Sequence, residues 1–296
     1  MKKLAALIPA ILGLAFTANT GTFDARQPLP ERETAITHIS RINSECNELK
    51  SKIEKYLGKE KNNAGIYIKA LNSDFEVDIN ASKVFPIAST IKLGILMNAI
   101  KQSEEKKLNL NEIESDLSKM IIESDNEATN RIIEKTNGLK TTNEYLQSIG
   151  IFNTKLQRIM LNKQAVKEGK DNLGTAKDLS TMLEKIYYSE GFREESSSHM
   201  LSLLLKEKWD YLIKAGVPFE VPVAKKIGEI SRKEGYPYDL EANAGIVFSP
   251  KHPFIITAII QDKLPDFEGQ KIVDENSASA KAISDITKMT YEFLEN

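Results

Sequence analysis

The sequence predicts an α+β protein: an antiparallel sheet flanked by N- and C-terminal helices, with an all-helical domain inserted into it. Three observations carry this. Strand-like runs lie towards both ends of the chain and not in its middle. The middle, from about residue 86 to 220, is dominated by apolar residues at helical spacing. The outermost segments, Glu31 to Leu57 and Ser277 to Leu294, are amphipathic and helical. Residues 33–85 and 221–296 should therefore build the sheet domain, and residues 86–220 the helical one.

Each element follows from local pattern. In the first helix Ile36, Ile39, Ile42, Leu49, Ile53 and Leu57 recur every three or four residues. Ala64–Ala70 and Phe75–Ile79 read as two strands, and Asn72-Ser73-Asp74 between them supplies turn chemistry, so they form a hairpin. Thr90–Lys101, Ile113–Lys135, Thr142–Ile149, Thr175–Tyr188 and His199–Leu212 read as helices, with Trp209 half-buried on the last. Thr175 with Asp178 three residues on resembles a capping box. Gly138, Gly150, Gly169 and Gly216 punctuate this region. Strand character returns at Val221–Ile227, Ala244–Phe248 and Phe254–Ile260.

The 296 residues carry 40 Lys and Arg against 42 Asp and Glu, a net charge of -2. No nucleic-acid partner is expected of such a balance, which lacks a basic excess. The first residues depart from this average. Met1-Lys2-Lys3 is basic, Leu4 to Phe16 is apolar, and small or polar residues follow through Thr22, which is the layout of a secretory signal. An apolar run of about 13 residues is too short to span a bilayer, which needs roughly 20. Residues 1–22 are thus expected to be a cleaved signal, residues 23–32 a leader or linker, and the mature protein periplasmic or secreted with no integral membrane segment. Cys46 is the only cysteine, so no disulfide forms within the chain. His38, His199 and His252 show no metal-ligand spacing, and no phosphate-binding loop is present, so no metal or other cofactor is expected. A small-molecule substrate and a monomer are expected.

The chemistry lies in three segments. Phe85-Pro86-Ile87-Ala88-Ser89-Thr90-Ile91-Lys92 contains Ser-x-x-Lys. A serine hydroxyl is a weak nucleophile and needs a base. On a helix, residues three apart share a face, so Lys92 reaches towards Ser89. Burial among Ile87, Ile91, Leu93 and Leu96 would lower the lysine pKa enough for it to accept a proton. The tetrad by itself is weak: Ser103-Glu104-Glu105-Lys106 repeats it in a charged, solvated stretch, and Ser89 alone would pass for a helix cap. Glu123-Ser124-Asp125-Asn126 is the second segment. Its hydroxyl and amide could relay a proton and hold a carbonyl; alone it would read as a polar turn. Val223-Ala224-Lys225-Lys226-Ile227-Gly228 is the third, a basic strand that could pair with a substrate backbone and attract a carboxylate.

In this order the three segments resemble the Ser-x-x-Lys, Ser-Asp-Asn and Lys-Thr-Gly set of class A β-lactamases and penicillin-binding proteins. Asp171–Leu179, Asn243–Phe248 and Pro253–Ile256 also look like segments of that family, so the resemblance covers residues 33 to 294. It implies the β-lactamase/transpeptidase-like fold. It further implies that Ser89 attacks a lactam or D-alanyl carbonyl, that Lys92 takes its proton, and that Ser124 passes one to the leaving nitrogen. Asn126 would orient the substrate amide, and Lys226, Ile227 and Gly228 would line the carboxylate subsite. The backbone N–H of Ser89 would contribute to an oxyanion hole.

Two departures from the family pattern stand out. The family carries a glutamate in its omega loop that activates the deacylating water. Here Arg158-Ile159-Met160-Leu161-Asn162-Lys163-Gln164 has no carboxylate, and Glu168 and Asp171 lack the family spacing. Ile227 replaces the usual Thr or Ser, with Arg232 or Lys233 as possible substitutes. The resemblance therefore leaves three readings: a β-lactam hydrolase, a D-alanyl-D-alanine peptidase or penicillin-binding-like protein with slow deacylation, and a degenerate envelope binding protein.

Overall fold

The computed structural model describes residues 29–231, 236, 238–262 and 277–296, with the backbone alone for residues 29–36, 38 and 262. The expected signal, residues 1–22, and the proposed substitutes Arg232 and Lys233 lie outside the described residues.

The described residues begin with α1 (Leu29–Leu57), which starts within the segment expected to be linker; Pro30 sits in its first turn, where a missing N–H is harmless. A 3-10 turn (Gly58–Asn63) leads into β1 (Ala64–Ala70) and then β2 (Glu76–Ile79), the expected hairpin. The helical region holds α2 (Lys92–Glu104), α3 (Leu110–Ile122), α4 (Asn126–Lys135), α5 (Gly138–Ser148), α6 (Lys163–Lys167), α7 (Ala176–Tyr187) and α8 (Glu194–Leu204). Before α2 comes a short strand, β3 (Phe85–Pro86), and before α7 its partner β4 (Leu173–Gly174). The chain closes with β5 (Val223–Ile230), β6 (Asp239–Val247), β7 (Phe254–Asp262) and α9 (Ala278–Glu295).

The large sheet has the order β2-β1-β7-β6-β5, antiparallel throughout. The pairing of β1 with β7, from Ala64 opposite Ile260 to Ala70 opposite Phe254, joins the two ends of the chain around the helical insertion. Strand alternation sends side chains to two cores. Ile66, Ile68, Val223, Ile227, Ile256 and Ile260 face the terminal helices and pack with Leu49 and Ile53 of α1 and Ile283 and Ile286 of α9. Ala224, Ile230, Ala242, Ala244, Ile246, Ile255 and Ile259 face the helical insertion, with Leu96 of α2, Leu117 of α3 and Leu179 and Leu183 of α7.

Two expected helices are revised. Ile113–Lys135 is not continuous: α3 stops at Ile122, Ser124 takes a left-handed φ of 55°, and Asp125 caps α4 by accepting from Ala128 N at 2.6 Å. The helix expected over His199–Leu212 ends at Leu204, so Trp209 lies in an irregular segment and is 47% exposed. Thr175 caps α7 as expected, its side chain accepting from Asp178 N, while the Asp178 carboxylate accepts from Asn153 N and Thr154 Oγ1.

Candidate active site

Ser89 stands where the small sheet meets the helical region. β3 pairs with β4, and Ile87 N extends the pairing by donating to Asn172 O at 3.0 Å, so the chain approaching Ser89 is held along residues 172–174. Ala88 then takes a φ of 47°, a left-handed conformation that costs a residue with a Cβ about 1–2 kcal/mol. Such strain persists where surrounding structure over-determines the backbone. The turn Ala88–Ile91 is 3-10, closed by Thr90 Oγ1 donating to Ile87 O at 2.5 Å. α2 starts only at Lys92, whose N–H reaches back to Ser89 O. Ser89 is half-buried at this junction, at the N-terminal end of α2.

Lys92 is fully buried. Its Nζ donates to Ser124 O at 2.7 Å, Ser124 Oγ at 3.1 Å and Asn126 Oδ1 at 3.0 Å. The left-handed turn at Ser124 brings both its carbonyl and its hydroxyl within reach, and α4 opens with Asn126 beside them. Two of the three sequence segments thus converge on one nitrogen. Burial, and then the repulsion of Lys226, push the Lys92 pKa down to about 6, against a weaker upward pull from Asp125 and Glu207. Near neutral pH the amine is largely uncharged. The Ser124 hydroxyl can then donate to it rather than accept.

The third segment arrives on β5, an edge strand of the large sheet. Alternation puts Lys226 and Gly228 on the face of the helical insertion. Gly228 lies directly against the Ser89 turn: a Cβ there would sit 2.8 Å from Ser89 N and 2.9 Å from both Ile87 O and Thr90 N. Only a glycine lets β5 approach this closely. Ile227 faces the other way. Its side chain is 5% exposed in the core beneath the terminal helices, so the expectation that it lines a carboxylate subsite holds at most for its backbone.

Sequence reading missed one buried group here. Glu207, in the irregular segment after α8, is 3% exposed. Its carboxylate lies 2.9 Å from Lys225 Nζ and 3.2 Å from Lys226 Nζ, and its carbonyl accepts from Lys225 at 2.6 Å. Lys225 also meets the exposed Asp210 at 3.0 Å. Lys208, next in the chain, donates its N–H to Ile122 O at 3.2 Å and pairs with Glu123 at 2.8 Å. Residues 206–210 therefore bridge the α3–α4 joint and β5. In sequence this charged run reads as the end of an amphipathic helix; its burial appears only when β5 and the α3–α4 joint are brought together.

The loop from Arg158 to Asp171 closes on a buried ion pair, Arg158 Nη2 to Asp171 Oδ1 at 2.7 Å. Tyr238 donates its hydroxyl to Asp171, and the Arg158 guanidinium lies 5.8 Å from the Tyr236 ring centroid. Asn130, one turn beyond Asn126 on α4, accepts from Met160 N at 2.8 Å and donates to Met160 O at 3.2 Å. Neither nearby carboxylate is free to serve as a base: Asp171 is committed to Arg158, and exposed Glu168 pairs with Lys170 at 3.3 Å. His199 pairs with Glu114 at 3.0 Å and His252 with Asn72 at 3.2 Å. The repeated tetrad at Ser103 falls at the C-terminal end of α2, with Lys106 in a left-handed turn.

A family profile described as "Beta-lactamase enzyme family" matches residues 48–115 and 112–294. The chain belongs to the beta-lactamase enzyme family. Solved structures of the same fold include PBP-A, 23% identical with a TM-score of 0.71, covering 84% of this chain and 97% of that one; a point mutant of PBP-A is described as an acyl-enzyme complex with penicillin G. TLA-3 extended-spectrum β-lactamase is 17% identical with a TM-score of 0.72, over 85% of this chain and all of its own. A class A β-lactamase from Bacteroides cellulosilyticus is 18% identical with a TM-score of 0.70, over 84% and 98%. These likenesses establish the class A β-lactamase fold, and with it the expected α+β architecture.

Proposed function

We propose that the protein is an exported serine enzyme that forms an acyl-enzyme with β-lactams, or with D-alanyl peptides, and releases it slowly. The observation that carries this is the convergence of Ser124 and Asn126 on a buried, largely neutral Lys92 one turn from Ser89.

Ser89 Oγ attacks the carbonyl carbon while Lys92 Nζ accepts its proton. Negative charge forming on the carbonyl oxygen is met by the Ser89 N–H, in the space that Gly228 leaves clear. The C–N bond breaks as Ser124 gives its proton to the leaving nitrogen, and Lys92 returns one to Ser124 across their 3.1 Å contact. Asn126 offers its amide to the substrate carbonyl, and Lys226 draws the substrate carboxylate. Release then needs a base for water. Asp171 is locked to Arg158 and Glu168 is held by Lys170 in solvent, so slow deacylation is favoured over the rapid turnover of a resistance enzyme.

The test combines purified protein with a fluorescent penicillin and a chromogenic cephalosporin, followed by intact mass. A lasting adduct on Ser89, absent in Ser89→Ala, with little colour, is the expected result. Rapid colour would establish an efficient β-lactamase instead. No adduct at any concentration would refute both enzyme readings in favour of a binding protein. Export is tested separately, by fractionating cells that express the full chain.

A further inference from the structure

Two adjacent lysines on a strand normally point to opposite faces. Here both ammonium groups converge on one carboxylate, that of Glu207, at 2.9 Å from Lys225 and 3.2 Å from Lys226. All three side chains are almost completely buried. A buried ammonium without a partner would shed its proton. Lys225 has a second carboxylate, Asp210, and a carbonyl as well. For Lys226, the hydrogen-bonding partner is Glu207 Oε1.

Resting on the acyl-enzyme reading above, we propose that Glu207 is a positioning residue: it holds Lys226 charged and aimed at the carboxylate subsite, so that the enzyme selects substrates bearing a carboxylate. The segment is built for this. Lys208 ties it to Ile122 and Glu123 beside Ser124, so Glu207 is fixed relative to both the nucleophile side and β5.

The surrounding charges agree. Burial pushes the Lys226 pKa down, and Lys225 pushes the same way. Glu207 opposes them through its charge and its hydrogen bond, with a smaller contribution from Glu229. Lys226 in turn repels a proton from Lys92, on which Asp125 and Glu207 act in the opposite sense. Asp210 balances Lys225, so Glu207 is the carboxylate on which the charge of Lys226 depends.

The experiment compares wild type, Glu207→Gln and Glu207→Asp. Acylation by benzylpenicillin and by its methyl ester is followed from pH 5 to 9, and the Lys226 Cε resonance, identified with Lys226→Arg, is titrated in 13C-lysine-labelled protein. Glu207→Gln should lose about tenfold or more in acylation by the free acid, the scale of one charge-assisted hydrogen bond, with the loss growing as pH rises. The ester should change far less, and the Lys226 titration should move to lower pH. Glu207→Asp should recover part of the selectivity. Equal losses for acid and ester, or an unmoved Lys226 titration, would overturn the proposal. Should Glu207→Gln fail to fold, Lys225→Met gives the opposite arm: Lys226 then has Glu207 to itself and must titrate at higher pH. A wild type that is not acylated at all would refute the acyl-enzyme reading, while the lysine titration still decides whether Glu207 holds Lys226 charged.

Discussion

The state of Lys92 makes the acylation rate a direct readout of the buried site. A lysine at its ordinary value of 10.5 is neutral in only about three molecules in ten thousand at pH 7; one held at about 6 is neutral in about nine of ten. The site therefore raises the fraction of competent base by roughly three thousandfold. If Lys92 is the base, the second-order rate of acylation by a fluorescent penicillin, followed by stopped flow from pH 4.5 to 10, should rise about tenfold per pH unit below 6 and level off above 7. A rate that climbs steadily to pH 9 or 10 would show a lysine at its ordinary value and refute the argument. Stability carries the same signature with a definite sign. Between about 6 and 10.5 the unfolded chain binds a proton at Lys92 that the native state does not. This group therefore makes stability rise with pH across that window, by at most ~1.4 kcal/mol per pH unit, and contributes no slope below it.

Gly228→Ala would drive a Cβ into backbone atoms at 2.8–2.9 Å, so acylation should fall by about a hundredfold or more while circular dichroism stays native. Ile227→Thr should lower stability by ~1–2 kcal/mol in urea titration, because it places a hydroxyl in an apolar core, and should give no gain in acylation by carboxylate-bearing substrates. Arg158→Met should cost about 3–5 kcal/mol, since it leaves Asp171 buried with Tyr238 and the Asn172 N–H as its donors among the described residues. Urea midpoints of the variant and wild type at pH 7 check it.

The order of elements was readable because it rests on local periodicity. The β1–β2 hairpin, the last three strands and both terminal helices fall within a few residues of expectation. Elements set by contacts distant in sequence were not. The strands β3 and β4 are two residues each and exist only because Phe85 meets Gly174. The break at Ser124 lies inside a helical pattern interrupted by a run that alone reads as a polar turn; the left-handed φ of Ser124 itself leaves no mark in the sequence. Ile227 was within reach: alternation with Lys226 and Gly228 places it on the opposite face of the strand, which a motif read as three consecutive residues obscures. Glu207 was not, since Lys206-Glu207-Lys208 reads as the charged face of a helix and only the structure buries it.

These differences bear on what separates acylation from release. The parts needed for acylation come from four regions, the turn at Ser89, the start of α2, the α3–α4 joint and β5, and they are fixed to one another by buried contacts. Lys92 binds the joint, Gly228 admits the strand, and Glu207 ties the strand to the segment that clasps the joint. On the acyl-enzyme reading proposed above, release would depend on a fifth region, the loop from Arg158 to Asp171. That loop is anchored as firmly as the rest, by Arg158 to Asp171 and by Asn130 to Met160. Its anchors consume the carboxylate that could have served as a base. On the same reading, this loop keeps an ordered frame without supplying a deacylating carboxylate. An enzyme with this division would be limited by loss of the acyl group, not by its formation, however well Ser89 and Lys92 are placed.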